Sequence, residues 1–276
     1  MAKLDMTQAW DSAVRKLNAN RELVFILGGV FFFLPQLAFS LLTPAALSPE
    51  LAASGSVSPE QLIEALNSYF AEYWWAVVIS SLVQIVGTIA VLNVLGAADR
   101  PTVSTAVERG ARSLPIMLLT QIMVTIAALL PLAIAYGLIA SGSLAVLGGI
   151  LVLPAAVVGV YLYIKFSLTS PIIALQDVRN PVDALKQSWH ATKQNSFRLF
   201  AFYALLIIGF GVIFAVTSLV IGVIFALGGE TLELIGTAIF GSLMSAVFAI
   251  FSYGVLAAVY RQLSASHDGP SVPKAG

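Results

Sequence analysis

The chain has 276 residues, 59% of them hydrophobic and 10% charged, and its 14 basic and 14 acidic side chains balance to a formal charge of zero. Soluble domains carry about a quarter charged residues, so a chain with a mean hydropathy of +0.93 cannot cover its core with polar surface and needs lipid as solvent for much of its length. Zero cysteines exclude disulfides, thiolate metal sites and cysteine nucleophiles; two histidines, His190 and His267, leave little for imidazole chemistry, and the charge balance suggests no nucleic-acid partner.

Residues 1–22 are polar, hold Lys3, Arg15, Lys16 and Arg21, and carry Met6, Trp10, Ala13, Val14 and Leu17 at helical spacing. Asp5 and Gln8 stand where a capping-box variant would open that helix. An apolar run over 23–42 follows, about 20 residues, enough to cross a hydrocarbon core of ~30 Å. A secretory leader is the competing reading of this run. The 22-residue amphipathic preface is long for a leader's basic region and the apolar run exceeds a leader's core, so an uncleaved signal anchor is expected.

Residues 43–73 form the longest polar interval and are expected to make a small acidic outer cap. Ser48-Pro49 and Ser58-Pro59 both read as a cap followed by a helix-opening proline, with a flexible A-A-S-G-S between them. The second helix would show Leu62, Ile63, Leu66, Phe70 and Tyr73 on one face and run into the interfacial belt Tyr73-Trp74-Trp75.

A second span is expected over 75–95, then an interfacial segment with Val103, Ala106, Val107, Gly110, Ala111 and Leu114 at helical spacing. Spans over 115–139 and 144–175 follow, with Lys165 snorkelling at the end of the fourth and Ser170-Pro171 bending the chain into the interface. Residues 180–198, N-P-V-D-A-L-K-Q-S-W-H-A-T-K-Q-N-S-F-R, read as a further interfacial helix. Asn180 caps it, Pro181 takes the first position, and Val182, Leu185 and Trp189 share an apolar face opposite Lys186, Gln187, Lys193 and Gln194. The fifth and sixth spans cover 199–227 and 234–260, and a polar tail over 261–276 is expected to be disordered.

The predicted architecture is therefore an all-α integral membrane protein, one polytopic domain over 1–260. Six transmembrane helices form three hairpins, each preceded by an amphipathic interfacial helix. With six spans, all 14 basic residues fall on one side, which the positive-inside rule assigns to the cytoplasm together with both termini. The order interfacial segment, span, outer turn, span occurs three times, over 1–95, 96–175 and 176–260, as a parallel repeat.

The stretch A-L-K-Q-S-W-H-A-T-K-Q-N-S-F-R-L-F, preceded by N-P and by S-L-T-S-P-I-I-A-L, resembles an uncharacterised bacterial six-helix inner-membrane family. That family includes the membrane domain attached to some glycerophosphodiester phosphodiesterases. Pro181, Ala184, Leu185, Ser188, Trp189, Thr192, Lys193, Asn195 and Arg198 carry the match. The resemblance implies a fold and a bacterial cytoplasmic membrane. It implies no reaction, because the phosphodiesterase's catalytic barrel is a separate domain that no segment here could form.

No Asp or Glu falls in the middle of an expected span, so neither a proton relay nor an intramembrane hydrolase is indicated. No catalytic set, metal or cofactor is expected. The candidate contact surface for anionic lipid, a membrane protein partner or a second copy comprises Trp10, Arg179, Lys186, Trp189, Lys193 and Arg198. The rival expectation is a transporter or flippase for a small or lipidic substrate, with a polar path along Gln84, Asn93 and Gln121. Glycines 28, 29, 148, 149, 159, 209, 211 and 222 are expected to serve close helix packing, and Pro35, Pro131 and Pro154 to kink spans.

Overall fold

The computed structural model describes residues 3–43, 58–97, 101–176 and 178–264, and among these every regular element is helical. α1 (Met6–Ala19) opens where the Asp5 carboxylate accepts a hydrogen bond from the Gln8 N–H at 3.0 Å, satisfying one of the first-turn amides that lack a partner inside the helix. Asn20 then passes the chain into the first span, α2 (Arg21–Leu42). One turn of α2, Gly29–Phe33, is π-helical, and Pro35 lies just beyond it. Proline has no N–H to donate and its ring crowds the carbonyl four residues back, so a widened turn before it absorbs the mismatch.

α3 (Pro59–Gly96) and α4 (Val103–Ala140) are unbroken helices of 38 residues each. At 1.5 Å per residue each is about 57 Å long, nearly twice a ~30 Å core, so each must project from the membrane at one end. α3 projects on the side away from the basic residues. The amphipathic helix expected after Ser58-Pro59 runs on through Tyr73-Trp74-Trp75 into the second span without a break. A full capping box opens it: Ser58 Oγ accepts from the Gln61 N–H, and Gln61 Oε1 accepts from the Ser58 N–H. α4 projects on the basic side, so the segment 103–114, expected as a separate interfacial helix, is continuous with the third span. Ser113 and Pro115 could open a new helix, but the chain stays helical through them, since a break would strand carbonyls that a continuous helix satisfies. Ser48-Pro49, the A-A-S-G-S hinge, Arg100 and the tail from residue 265 lie outside the described residues.

The fourth span consists of α5 (Ala145–Phe166) and α6 (Thr169–Gln176), separated by a turn at Ser167-Leu168. The bend thus precedes Ser170-Pro171, and Pro171 falls in the first turn of α6, where its missing N–H costs nothing. α7 (Pro181–Ala191), α8 (Ser196–Ala226) and α9 (Glu230–Ser264) complete the chain. Six helical stretches are long and apolar enough to cross a membrane, and the protein is a multi-pass integral membrane protein. Gly142 and Gly229 make the outer turns of the second and third hairpins with φ of 71° and 88°, a region that an L side chain enters only under strain.

The core sits at the basic end. Ile89–Leu95 of α3, Ile172 and Ile173 of α6, and Val255, Ala257, Ala258 and Val259 of α9 are all buried where the closing ends of the even-numbered spans converge. α1 lies against α9, the first turns of α4 against α3, and α7 against α5 and α6. Away from this end the spans present apolar side chains outward. The most apolar 18-residue window is 39% buried in the second span and 6% buried in the fifth, so the fifth depends on lipid for nearly all its cover.

Glycine packing splits the expected set in two. A Cβ on Gly159 would lie 2.5 Å from the Ala128 carbonyl oxygen, one on Gly148 2.7 Å from that of Ala135, and one on Gly28 2.3 Å from Ile250. These are close helix contacts of the kind small residues permit. Gly29, Gly149, Gly209, Gly211 and Gly222 face open space instead, so close packing is not their role.

Candidate functional site

α7 begins as its sequence indicates, with Asn180 accepting from the Val182 N–H at 3.0 Å and Pro181 at the first position. The face it buries differs from the expected one. Ala184 and Ser188, one turn apart, and Thr192, just past the helix end, are fully buried, while Val182 and Trp189 remain 41% and 37% exposed. Small side chains let the helix backbone approach the spans, and the large apolar ones are displaced to the flank. α1 repeats this division: Ala9, Ala13 and Leu17 are buried, and Met6, Trp10 and Val14 form an exposed stripe at four-residue spacing.

The α7 hydroxyls converge on one carbonyl. Ser188 Oγ donates to the Lys165 carbonyl oxygen at 2.7 Å, and Thr192 Oγ1 lies 3.4 Å from the same oxygen while bonded to the Ser188 carbonyl at 2.9 Å. Lys165 is in the last turn of α5, where carbonyls have no donor inside the helix, so α7 supplies one. Trp189, between the two hydroxyls in sequence, covers the side chain of the same lysine. The Lys165 ammonium lies 5.0 Å from the Trp189 ring centroid and 5.6 Å from that of Tyr161, within cation–π range. Tyr161 and Phe166 pack against Trp189 at 6.1 and 5.8 Å. The lysine expected to snorkel is instead only 4% exposed, because an aromatic roof closes over it.

Beyond Thr192, Gln194 adopts a left-handed backbone with φ of 69° and turns the chain into α8. The turn brings Asn195 and Arg198 onto Leu4. Asn195 Oδ1 accepts from the Leu4 N–H at 2.9 Å, and Arg198 Nη1 donates to the Leu4 carbonyl at 3.0 Å, across separations of 191 and 194 residues. Leu4 itself is 1% exposed. Eleven residues, Ser188 to Arg198, thus fasten the end of the fourth span and the start of the chain to the fifth span.

The end of α3 is held in a comparable way. Lys16 Nζ donates to the Leu95 carbonyl at 2.8 Å, and Arg109 Nη1 reaches Asn93 Oδ1 at 3.4 Å. Burial, and then the charge of Arg261, push the Lys16 ammonium down from an ordinary lysine's 10.5 to about 8.

The sequence-predicted contact residues are not one patch. Arg179, Lys186 and Lys193 are exposed around α7, and Trp189 is engaged with Lys165. Arg198 is half-buried on Leu4, and Trp10 stacks on Phe251 at 6.2 Å on the other interfacial helix. The polar-path residues do not come together either. Asn93 is 2% exposed and donates to its own helix at the Ile89 carbonyl, Gln84 is half-buried, and Gln121 is on an exposed face. Because Gly110 of α4 lies against Val86 of α3, Gln84 is level with about Arg112, and Gln121 lies some two and a half turns further from the basic end, about 13.5 Å along the helix.

Two clefts stand out among the described residues. A polar one of about 230 Å³ at the basic end lies among Ile172, Gln176, Gln187, Tyr260, Leu263 and Ser264, where the Gln176 amide donates to the Tyr260 hydroxyl. An apolar one of about 320 Å³ opens between α8 and α9 beside Phe210, Gly211, Phe214, Gly241, Met244 and Phe248. Among the described residues, no three of His, Asp or Glu lie close enough together to hold a metal ion.

The match that decides the family runs from the first span to the sixth. The chain belongs to the family described as a domain of unknown function, DUF7847. Its family model matches residues 23–263, which includes the whole Lys165 and Leu4-holding segment of α7 and α8 but not α1. No curated protein and no solved structure matches the chain. What Ser188, Thr192, Asn195 and Lys165 do was missed from sequence. A signal existed for the hydroxyls alone, since Ser188 and Thr192 share a helix face with Ala184 while the larger residues do not.

Proposed function

We propose that this is a non-enzymatic membrane protein of the bacterial cytoplasmic membrane that binds anionic lipid, or a membrane protein partner surrounded by it, at its basic face. Both termini lie in the cytoplasm on this reading. The observation that carries it is the pair of interfacial helices whose large apolar residues flank the docked face and stay partly exposed. Met6, Trp10 and Val14 on α1 and Val182 and Trp189 on α7 stay exposed, with Arg15, Lys186 and Lys193 beside them. An apolar stripe edged by cations suits the boundary between acyl chains and anionic headgroups, where each nearby basic residue contributes about 1 kcal/mol. The resemblance of the 180–198 stretch to a bacterial inner-membrane domain supports the same compartment.

The test is lipid retention. Arg15→Gln, Arg179→Gln and Lys186→Gln together should reduce the anionic lipid that co-purifies in mild detergent, while zwitterionic lipid stays constant. Unchanged retention in that variant, and again with Lys193→Gln added to it, would sink the reading.

A transport reading has one supporting feature, the apolar cleft between α8 and α9, which could admit the tail of a lipidic substrate. Substrate-dependent flux in proteoliposomes, lost when Gly211→Leu fills the cleft, would promote it over lipid binding.

A further inference from the structure

Lys165 is a buried cation without an anion. Its side chain is 4% exposed, and among the described residues its ammonium has no hydrogen bond and no ion pair, only the ring faces of Trp189 and Tyr161. Cation–π contact offsets part of the cost of drawing an ammonium out of water, and among the described residues no protein oxygen accepts from its N–H groups. Lys193, exposed at the turn after α7, directly follows Thr192, whose hydroxyl lies 3.4 Å from the Lys165 carbonyl, so a second cation stands at the same end of α5. Two cations at one end of a helix, one of them partly desolvated, are more stable with an anion between them.

We infer that Lys165 and Lys193 form a binding site for the phosphate of an anionic lipid headgroup, roofed by Trp189 and opening toward the membrane boundary. The inference rests on the lipid-binding reading and names its specific site. Three features select the ligand. A phosphate diester accepts from both ammonium groups at once, which matches two lysines better than one carboxylate does. The surroundings are those of the headgroup layer: Tyr161, Tyr163 and Phe197 are 45%, 58% and 81% exposed around the end of α5 and the start of α8, where a lipid's glycerol and upper acyl carbons would lie. The aromatic faces are already occupied by the protein's own ammonium, so the site is not a cage for a quaternary ammonium. It should therefore prefer phosphatidylglycerol to phosphatidylcholine.

α7 builds the site through backbone and side chain together. Ser188 and Thr192 fix the Lys165 carbonyl, which sets where its side chain leaves α5, and Trp189 then closes over the ammonium. The bulk of the motif is thus explained by one lysine, and the lysine by one ligand.

The experiment is native mass spectrometry of the full chain in mild detergent, titrated with phosphatidylglycerol, phosphatidylcholine and, separately, inorganic phosphate. Wild type should retain phosphatidylglycerol preferentially. Lys165→Met should weaken that binding about tenfold or more, the loss expected for a charge-assisted hydrogen bond in a dry site, and Lys193→Gln severalfold. Arg112→Gln, at an exposed ion pair outside the site, serves as the control and should bind as wild type does. Lys165→Arg, which keeps the charge, guards against loss of fold and should retain most of the binding. Phosphatidylglycerol binding that survives both Lys165→Met and Lys193→Gln but falls with Arg15, Arg179 and Lys186 would overturn this site and leave the broader reading intact. No preference for phosphatidylglycerol in wild type would overturn both. Displacement of the lipid by millimolar inorganic phosphate would overturn the lipid as the source and leave free phosphate as the ligand.

Discussion

Asn195 and Arg198 each hold one backbone polar group of a single buried residue, Leu4, so each has a definable consequence. Asn195→Ala strands the Leu4 N–H and is expected to lower stability by about 1–3 kcal/mol, the cost of an unsatisfied buried donor. Thermal unfolding in detergent measures this, and faster protease cleavage before Met6 would report release of α1. Ser188→Ala should cost less, about 1 kcal/mol, because Thr192 still approaches the same carbonyl. Lys16 makes a pH prediction. It loses its proton near pH 8 in the folded protein and near 10.5 when unfolded, so the unfolded state binds more protons between those values and stability rises with pH across that window. Lys16→Gln should remove that rise, seen as a flatter dependence of the unfolding midpoint on pH. Sequence marked Arg198 and Lys193 as cations at a surface. It could not show that Arg198 is used by Leu4, because a bond across 194 residues leaves no local pattern.

At the scale of elements, capping chemistry was readable because it is local. Asp5, Ser58 and Asn180 open α1, α3 and α7 as their neighbours dictate. The joins between amphipathic segments and spans were not readable, since helical periodicity is the same on both sides of a membrane surface. α4 therefore continues where a separate helix was expected. Glycine roles divide for a related reason, as the neighbour on the other helix decides them. Gly159→Val should drive its side chain into the Ala128 carbonyl and destabilise the α4–α5 hairpin by several kcal/mol, whereas Gly209→Val meets nothing within 4 Å and should be nearly neutral. Comparing the two melting temperatures in one detergent tests the pair.

At the scale of the whole molecule, charge segregation predicts sidedness. The chain has no cysteine, so single probes can be introduced without background. Asn18→Cys should react with a membrane-impermeant thiol reagent only after cells are opened, and Glu233→Cys in intact cells. Labelling of both in intact cells would reject the six-span arrangement with its basic face inside. The same segregation fits the packing: the end of the bundle that carries the cations also carries the core, where α3, α6 and α9 converge.

Sequence by itself determined the solvent, the number of spans, the helix starts and the grouping of charge, because each follows from composition or from residues within one or two turns. Tertiary structure alone decided which face of α7 and α1 docks, where the lysine at the end of α5 goes, and what holds Leu4. Apolar periodicity names the residues that avoid water. In a membrane that leaves two destinations, protein and lipid, and it is small size and hydrogen-bond reach across distant segments that sends Ala184, Ser188 and Thr192 to the first, leaves Val182 to the second and sets Trp189 between them over Lys165.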